Sequence, residues 1–146
     1  IDTLITSKKN YVVVCYANYC RSPVAEFFLK EKFKEHSVCS AGLNPMAAAA
    51  MDPRSQRYLS SYFENIPMHA PQKINKSLVE KAETVFCLDP HILIELNKTF
   101  PKFHKKFKLL NYQMPKISLA DPYKFNDKEY WAIMDNIRLL VSNLKL

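Results

Sequence analysis

A thiol and a guanidinium stand close together near the start of this chain. The stretch "VVVCYANYCRSPVAE", residues 12–26, holds Cys15 and, after five intervening residues, Arg21, followed at once by Ser22-Pro23. An ionised cysteine is a strong nucleophile, and arginine offers a planar, permanently charged fork that suits two oxygens of a phosphoryl group. The pair would suit attack on phosphorus, with the fork holding the oxygens that do not react. A second thiol, Cys20, lies in the same loop. It is placed to form a disulfide with Cys15 under oxidation and so to shield it from irreversible over-oxidation.

Such a pair needs a scaffold that exposes it at a strand-to-helix junction. Tyr11 to Val14 reads as a buried strand, a short continuous run rich in β-branched residues. Ser22 reads as an N-cap and Pro23 as the first helical residue, with Val24, Phe27, Phe28 and Phe33 at helical spacing up to about His36. A loop between these elements can converge its N–H groups, with those of the helix's first turn, on a bound anion. The same positive field is expected to lower the Cys15 pKa from about 8.5 into the range ~3.5–7.5.

Strands and helices then alternate. Ser37–Ala41 reads as a second strand and Asp52-Pro53 as the start of a helix through Phe63 that ends near Asn65. Lys76–Lys81 reads as a short helix, Thr84–Leu88 as a third strand, and Asp89-Pro90 as the next helix start. Phe107–Leu110 reads as a fourth strand, and a long last helix begins near Asn126. This order predicts an α/β domain with a mostly parallel sheet covered on both faces, whose ligands bind beyond the carboxyl ends of the strands. Cys15 follows the first strand directly.

Composition narrows the class. A length of 146 residues and 48% hydrophobic content fit one compact domain, residues 1–146, with residues 1–10 as a loosely ordered extension. No apolar run approaches the ~20 residues that span a bilayer, and the opening IDTLITSKKN lacks a secretory pattern, so a soluble, cytoplasmic protein is expected. The four cysteines lack zinc-ribbon spacing; no metal is expected, Cys39 and Cys87 read as core thiols, and the thiols should be reduced. The formal charge of +7 is scattered apart from "KFHKKFK" at Lys102–Lys108, which reads as a solvated helix end or loop or, less often, as a face for phosphate-rich or acidic partners. No recognition motif points to nucleic acid. With a single glycine, Gly42, turns must rest on the nine prolines, asparagine and aspartate.

The stretch CYANYCRSPVAE resembles the signature of the low-molecular-weight protein tyrosine phosphatases, close to C-[LT]-G-N-x-C-R-S-P-x-A-E. The likeness continues through "SAG" at Ser40–Gly42, "DPRSQRYL" from Asp52, His69, "VFCLDPHILIELNK" from Val85 and "DPY" at Asp121–Tyr123. The resemblance implies a three-layer sandwich around a four-stranded, mostly parallel sheet, with a phosphate-binding loop after the first strand. It implies hydrolysis of phosphotyrosine monoesters through a phosphocysteine, with Cys15 as nucleophile, Arg21 as phosphate clamp and Asp121 as general acid and base. Without the resemblance, Asp121 would read as a helix cap before proline. Tyr16, Ala17, Asn18, Tyr19, Cys20 and Ser22 would line the phosphate; Ser40 and His69, with Asn18 and Ser22, would hold the loop in shape; Met46 and Tyr123 would wall the pocket. Phosphotyrosine proteins and phosphate or vanadate are the implied partners, with no organic cofactor and a monomer or weak dimer.

Several positions depart from that pattern. Ala17 replaces the usual glycine, so either its φ is negative or the loop is strained. "LNPMAAAAMDPR" replaces a stretch that often brings an aromatic residue to the pocket, Lys124 stands where a second aromatic is common, and Gln72 where an arginine is common. Three other readings compete. An arsenate reductase of the same architecture needs a cysteine relay, which is broken because Ile94 stands seven residues after Cys87. A phosphoarginine phosphatase tends to carry threonine where this chain has Tyr19. A phosphopeptide-binding module without turnover would follow if Ala17 misshaped the loop.

Overall fold

The computed structural model describes residues 7–47 and 50–146. The proposed extension therefore falls mostly outside the described residues, as does the middle of the Ala47–Ala50 segment. Strands β1 (Asn10–Cys15), β2 (Ser37–Gly42), β3 (Thr84–Cys87) and β4 (Phe107–Leu109) form one sheet in the order β2-β1-β3-β4, every neighbouring pair parallel. The helices are α1 (Arg21–Lys32), α2 (Pro53–Ser60), α3 (Lys76–Lys81), α4 (Pro90–Thr99) and α5 (Asp127–Asn143), with a short 3-10 helix at Pro101–Lys106 before β4.

The buried run in β1 follows from its central place, since successive side chains enter different cores. Tyr11, Val13 and Cys15 join the larger core with α1, α2 and α5, while Val12 and Val14 join the smaller one with α3 and α4. Val13 and Val14 are wholly buried, each stabilising the fold by about 1.5–3 kcal/mol. The chain leaves β1 for β2 on one side and returns to β3 on the other. The crevice of such a sheet lies where the winding reverses, at the carboxyl end of β1.

Three boundaries differ from the sequence reading. Helix α1 starts at Arg21, with Cys20 rather than Ser22 at its N-cap, because the Ser22 hydroxyl is engaged by Cys15 and Asn18. It stops at Lys32 rather than near His36, with the Phe33 N–H closing on Leu29. Helix α2 stops at Ser60: the Ser61 hydroxyl bonds back to the Tyr58 carbonyl, and Phe63 leaves the helix to pack on Phe27 and Phe28. Cys87 is a core thiol as expected, whereas Cys39 is only half-buried.

The basic run lies in the 3-10 helix and the start of β4, the end of the sheet opposite Cys15. Lys106 there donates to the Val79 and Glu80 carbonyls, the end of α3, where a cation complements the helix dipole. Lys32 likewise binds the Val141, Ser142 and Leu144 carbonyls at the end of α5. Among the described residues, no helix is long and apolar enough to cross a membrane.

Candidate active site

Five residues, 16–20, join β1 to α1, and their shape is set from outside. The carbonyls of Cys15, Tyr16 and Ala17 accept from the backbone N–H groups of Leu43, Asn44 and Met46, and that of Tyr19 from Asp52. The Asn18 carbonyl accepts from His69 Nε2 at 2.8 Å, which fixes that nitrogen as the protonated one, and the Cys20 carbonyl from the Ser55 hydroxyl at 2.8 Å. Six consecutive carbonyls are thus drawn outward. The N–H groups of Tyr16–Cys20 find no partner among the described residues, so the concave side of the loop presents donors, the arrangement that cradles an anion.

Helix α1 adds to that field. Asp52, Asn75, Asp89 and Asn126 cap α2, α3, α4 and α5 with side-chain oxygens, whereas α1 has no side-chain cap. Its free first-turn N–H groups open toward the loop.

Asn18 is the hub. Its φ is 52°, the left-handed conformation that asparagine tolerates, and among the described residues it is the non-glycine residue with positive φ. Ala17 therefore keeps an ordinary negative φ, and the expected alternative of strain does not arise. The Gln72 N–H donates to Asn18 Oδ1 at 3.0 Å, so Nδ2 supplies both remaining bonds, to Ser22 Oγ at 2.7 Å and Ser40 Oγ at 2.9 Å. Ser22 Oγ shares a hydrogen bond with Cys15 Sγ, 2.9 Å away, and is the donor when the sulfur is a thiolate. Gly42 explains the lone glycine. A Cβ there would sit 2.8 Å from Asn18 N and Tyr16 O.

Arg21 is 2% exposed and anchored on its far side. Nη1 donates to the Leu119 carbonyl at 2.7 Å, and Nη2 pairs with Asp89 Oδ2 at 3.0 Å. A guanidinium has five N–H donors, so these two bonds leave three. Cys15, Arg21 and Asp121 meet in one cavity of about 350 Å³, walled by the rest of the loop apart from Asn18, by Tyr123 and by residues 44–47. The Tyr19 and Tyr123 rings meet edge to face at 6.2 Å. Asp121 is exposed at the rim, its Oδ1 accepting from the Tyr123 N–H rather than capping a helix.

The sequence carries a matching signature: residues 10–145 fit the model for "Low molecular weight phosphotyrosine protein phosphatase". The chain belongs to this family. It is an enzyme of the phosphomonoester hydrolase class. It is 29% identical to the low molecular weight protein-tyrosine-phosphatase Ptp of Acinetobacter johnsonii, over 91% of this chain and 90% of the relative. Its fold matches the tyrosine phosphatase Wzb of Escherichia coli K30 in complex with phosphate, at TM-score 0.84 and 20% identity over 93% and 95% of the two chains. It also matches the YwlE arginine phosphatase of Geobacillus stearothermophilus, at TM-score 0.81 and 22% identity over 92% and 88%. At those identities the two likenesses show the shared fold.

The sequence reading names Cys15, Arg21 and Asp121, which meet at this cavity, but not Asp89, Arg54 and Glu26, which contact them or their supports. Asp89 reads as a helix cap and is one, through Oδ1, yet its other oxygen holds Arg21. Arg54 binds Asp52 and reaches across to the Tyr123 and Phe125 carbonyls, fixing the loop that carries Asp121. Burial works against the Asp52 charge, but the Arg54 bonds outweigh it and hold the carboxyl below its usual range. Glu26, the last residue of the signature, bonds Ser40. Cys20 lines the cavity, but desolvation pushes its thiol up to about 12.

Proposed function

We propose that this protein hydrolyses phosphotyrosine monoesters through a phosphocysteine intermediate, with Cys15 as nucleophile, Arg21 as clamp and Asp121 as general acid and base. The observation that carries this reading is the convergence of a serine-bonded sulfur, a backside-anchored guanidinium and an exposed carboxylate on one cavity. In this scheme the phosphoryl oxygens lie against the loop N–H groups and the free donors of Arg21, which stabilise charge in the transition state. The Cys15 thiolate forms an S–P bond as the P–O bond to tyrosine breaks. Phenols ionise near pKa ~10, so protonation of the departing oxygen by Asp121 should contribute ~10²–10⁴ in rate. Water then attacks phosphorus, Asp121 takes its proton, the S–P bond breaks, and inorganic phosphate leaves.

Tyr16, Tyr19, Tyr123 and Met46 give the cavity apolar walls suited to a phenyl ring. The test is turnover of an aryl phosphate and of phosphotyrosine and phosphoarginine peptides at mildly acidic pH. Wild type should prefer the phosphotyrosine peptide, Cys15→Ser should show no turnover, and Asp121→Ala should lose ~10²–10⁴. Preference for phosphoarginine would overturn the substrate assignment. Turnover by Cys15→Ser would overturn the mechanism.

A further inference from the structure

Behind the loop, on the side away from the substrate cavity, a polar chain runs outward from the nucleophile. Cys15 Sγ bonds Ser22 Oγ, Ser22 bonds Asn18 Nδ2, Asn18 bonds Ser40 Oγ, and Ser40 bonds Glu26 Oε1 at 2.5 Å. Glu26 and Ser40 border a second, smaller cavity with Lys30, His69 and Gln72. The other Glu26 oxygen accepts from Lys30 at 2.6 Å.

The chain has a direction, and its two ends determine it. An amide N–H can only donate, so the Gln72 bond to Asn18 Oδ1 fixes which end of the Asn18 amide carries hydrogens. An ionised carboxylate can only accept, so Ser40 must point its single proton at Glu26 and offer lone pairs to Asn18. Both Asn18 hydrogens are then assigned to serine oxygens, and a Cys15 thiolate, which can only accept, draws the Ser22 proton toward the sulfur. Without Glu26 the Ser40 proton is free to turn toward Asn18 Nδ2, where it meets another donor, and the far anchor of the hub is lost.

We propose that Glu26 is a positioning residue for the nucleophile: by orienting the Ser40 hydroxyl it holds Asn18, and through Asn18 keeps the Ser22 proton on the Cys15 sulfur. The consequence for catalysis rests on the role of Cys15 proposed above, but the consequence for the sulfur does not. Reach is the decisive property. Glutamine keeps an acceptor oxygen at the same distance without charge, whereas aspartate keeps the charge and withdraws the oxygen by one methylene.

The test is the rate at which iodoacetamide alkylates Cys15 at pH 6, read by peptide mass spectrometry, alongside thiolate absorbance near 240 nm and a thermal melt. Because no phosphate ester is involved, failure of the proposed hydrolysis leaves this readout intact. Glu26→Ala and Glu26→Asp should alkylate about 3–10-fold more slowly than wild type, and Glu26→Gln within about twofold of it, an interval matching the ~1 kcal/mol typical of one hydrogen bond. In a Ser40→Ala background, Glu26→Ala should have no further effect. Wild-type rates in Glu26→Ala, or a defect in Glu26→Gln with none in Glu26→Asp, would overturn the proposal. So would a Glu26→Ala effect undiminished in Ser40→Ala. Should Glu26→Ala not fold, the Gln and Asp variants decide the question by the same criteria.

Discussion

The junctions β1–α1 and β3–α4 occupy adjacent positions at the same end of the sheet, with Val14 and Cys87 paired across it, yet they do opposite things. After Cys15, five residues intervene before the helix, enough to curl around an anion; after Cys87, Leu88 and Asp89 suffice. Asp89 caps α4 with one oxygen, while the start of α1 is left uncapped. The sulfurs differ as well. Cys15 has a hydroxyl partner and a cavity, whereas burial pushes the Cys87 thiol up. The short junction serves the long one, since the second oxygen of Asp89 holds Arg21 from behind. The two junctions are therefore divided between an open loop and a turn that braces it.

The largest effect should come from crowding the long loop. Gly42→Ala places a methyl 2.8 Å from two backbone atoms of residues 16–18, where nothing flexible can yield. Displacement of the cradle by a fraction of an ångström to 1 Å should lower kcat/KM for an aryl phosphate by about 10²-fold. The loss should be seen with the melting transition still cooperative. Near-wild-type kcat/KM would show that the loop is softer than its six anchored carbonyls imply.

Next is the brace. Asp89→Ala removes both the partner of a buried arginine and a helix cap. One-sided removal from a buried ion pair costs about 3–5 kcal/mol, and because Asp89 is partly exposed the low end applies. Asp89→Asn keeps an oxygen for the Ile92 N–H and loses the charge facing Arg21, so it should recover about 1 kcal/mol, the cap's share, in chemical denaturation. With Arg21 in the clamping role proposed above, both variants should lose roughly tenfold in kcat/KM, since the guanidinium is equally displaced in each. Full activity in Asp89→Asn with the stability loss intact would confine Asp89 to structure.

The two junctions also differ in how well the sequence disclosed them. The strand ends, the Asp-Pro helix starts and the placement of Cys15 were legible because they rest on local rules: β-branched runs, capping aspartates and proline at the first helical turn. The mistaken cap at Ser22 came from the same rules, as serine before proline is a good cap unless a tertiary partner claims its hydroxyl, and Cys15 and Asn18 do. Asp89 and Glu26 looked ordinary for the complementary reason. Their local roles, a cap and an i,i+4 partner for Lys30, are satisfied, and their second oxygens act over 68 and 14 positions of sequence, distances no local pattern encodes. Gly42 was visible as the lone glycine, but only the fold shows what lies against it.

The smallest effect is a pH dependence that sharpens the contrast between Cys15 and the other two thiols at these junctions. Desolvation raises Cys20 from 9.0 to about 12 and raises Cys87 as well. The folded state thus favours their protonated forms. An unfolded thiol ionises at its ordinary pKa, so the stability tied to these groups is fully present below pH 9 and is lost as pH rises from 9 toward 12. The melting temperature should hold steady between pH 7 and 8.5 and decline above 9, and Cys20→Ser, whose hydroxyl does not titrate there, should make that decline shallower. Over pH 6–8, iodoacetamide should mark Cys15 while leaving Cys20 and Cys87 unmodified in the folded protein. Labelling of Cys20 at a rate comparable with Cys15 would mean that the loop opens far enough to hydrate its second sulfur, and the distinction between a braced and a binding junction would then be one of dynamics instead of chemistry.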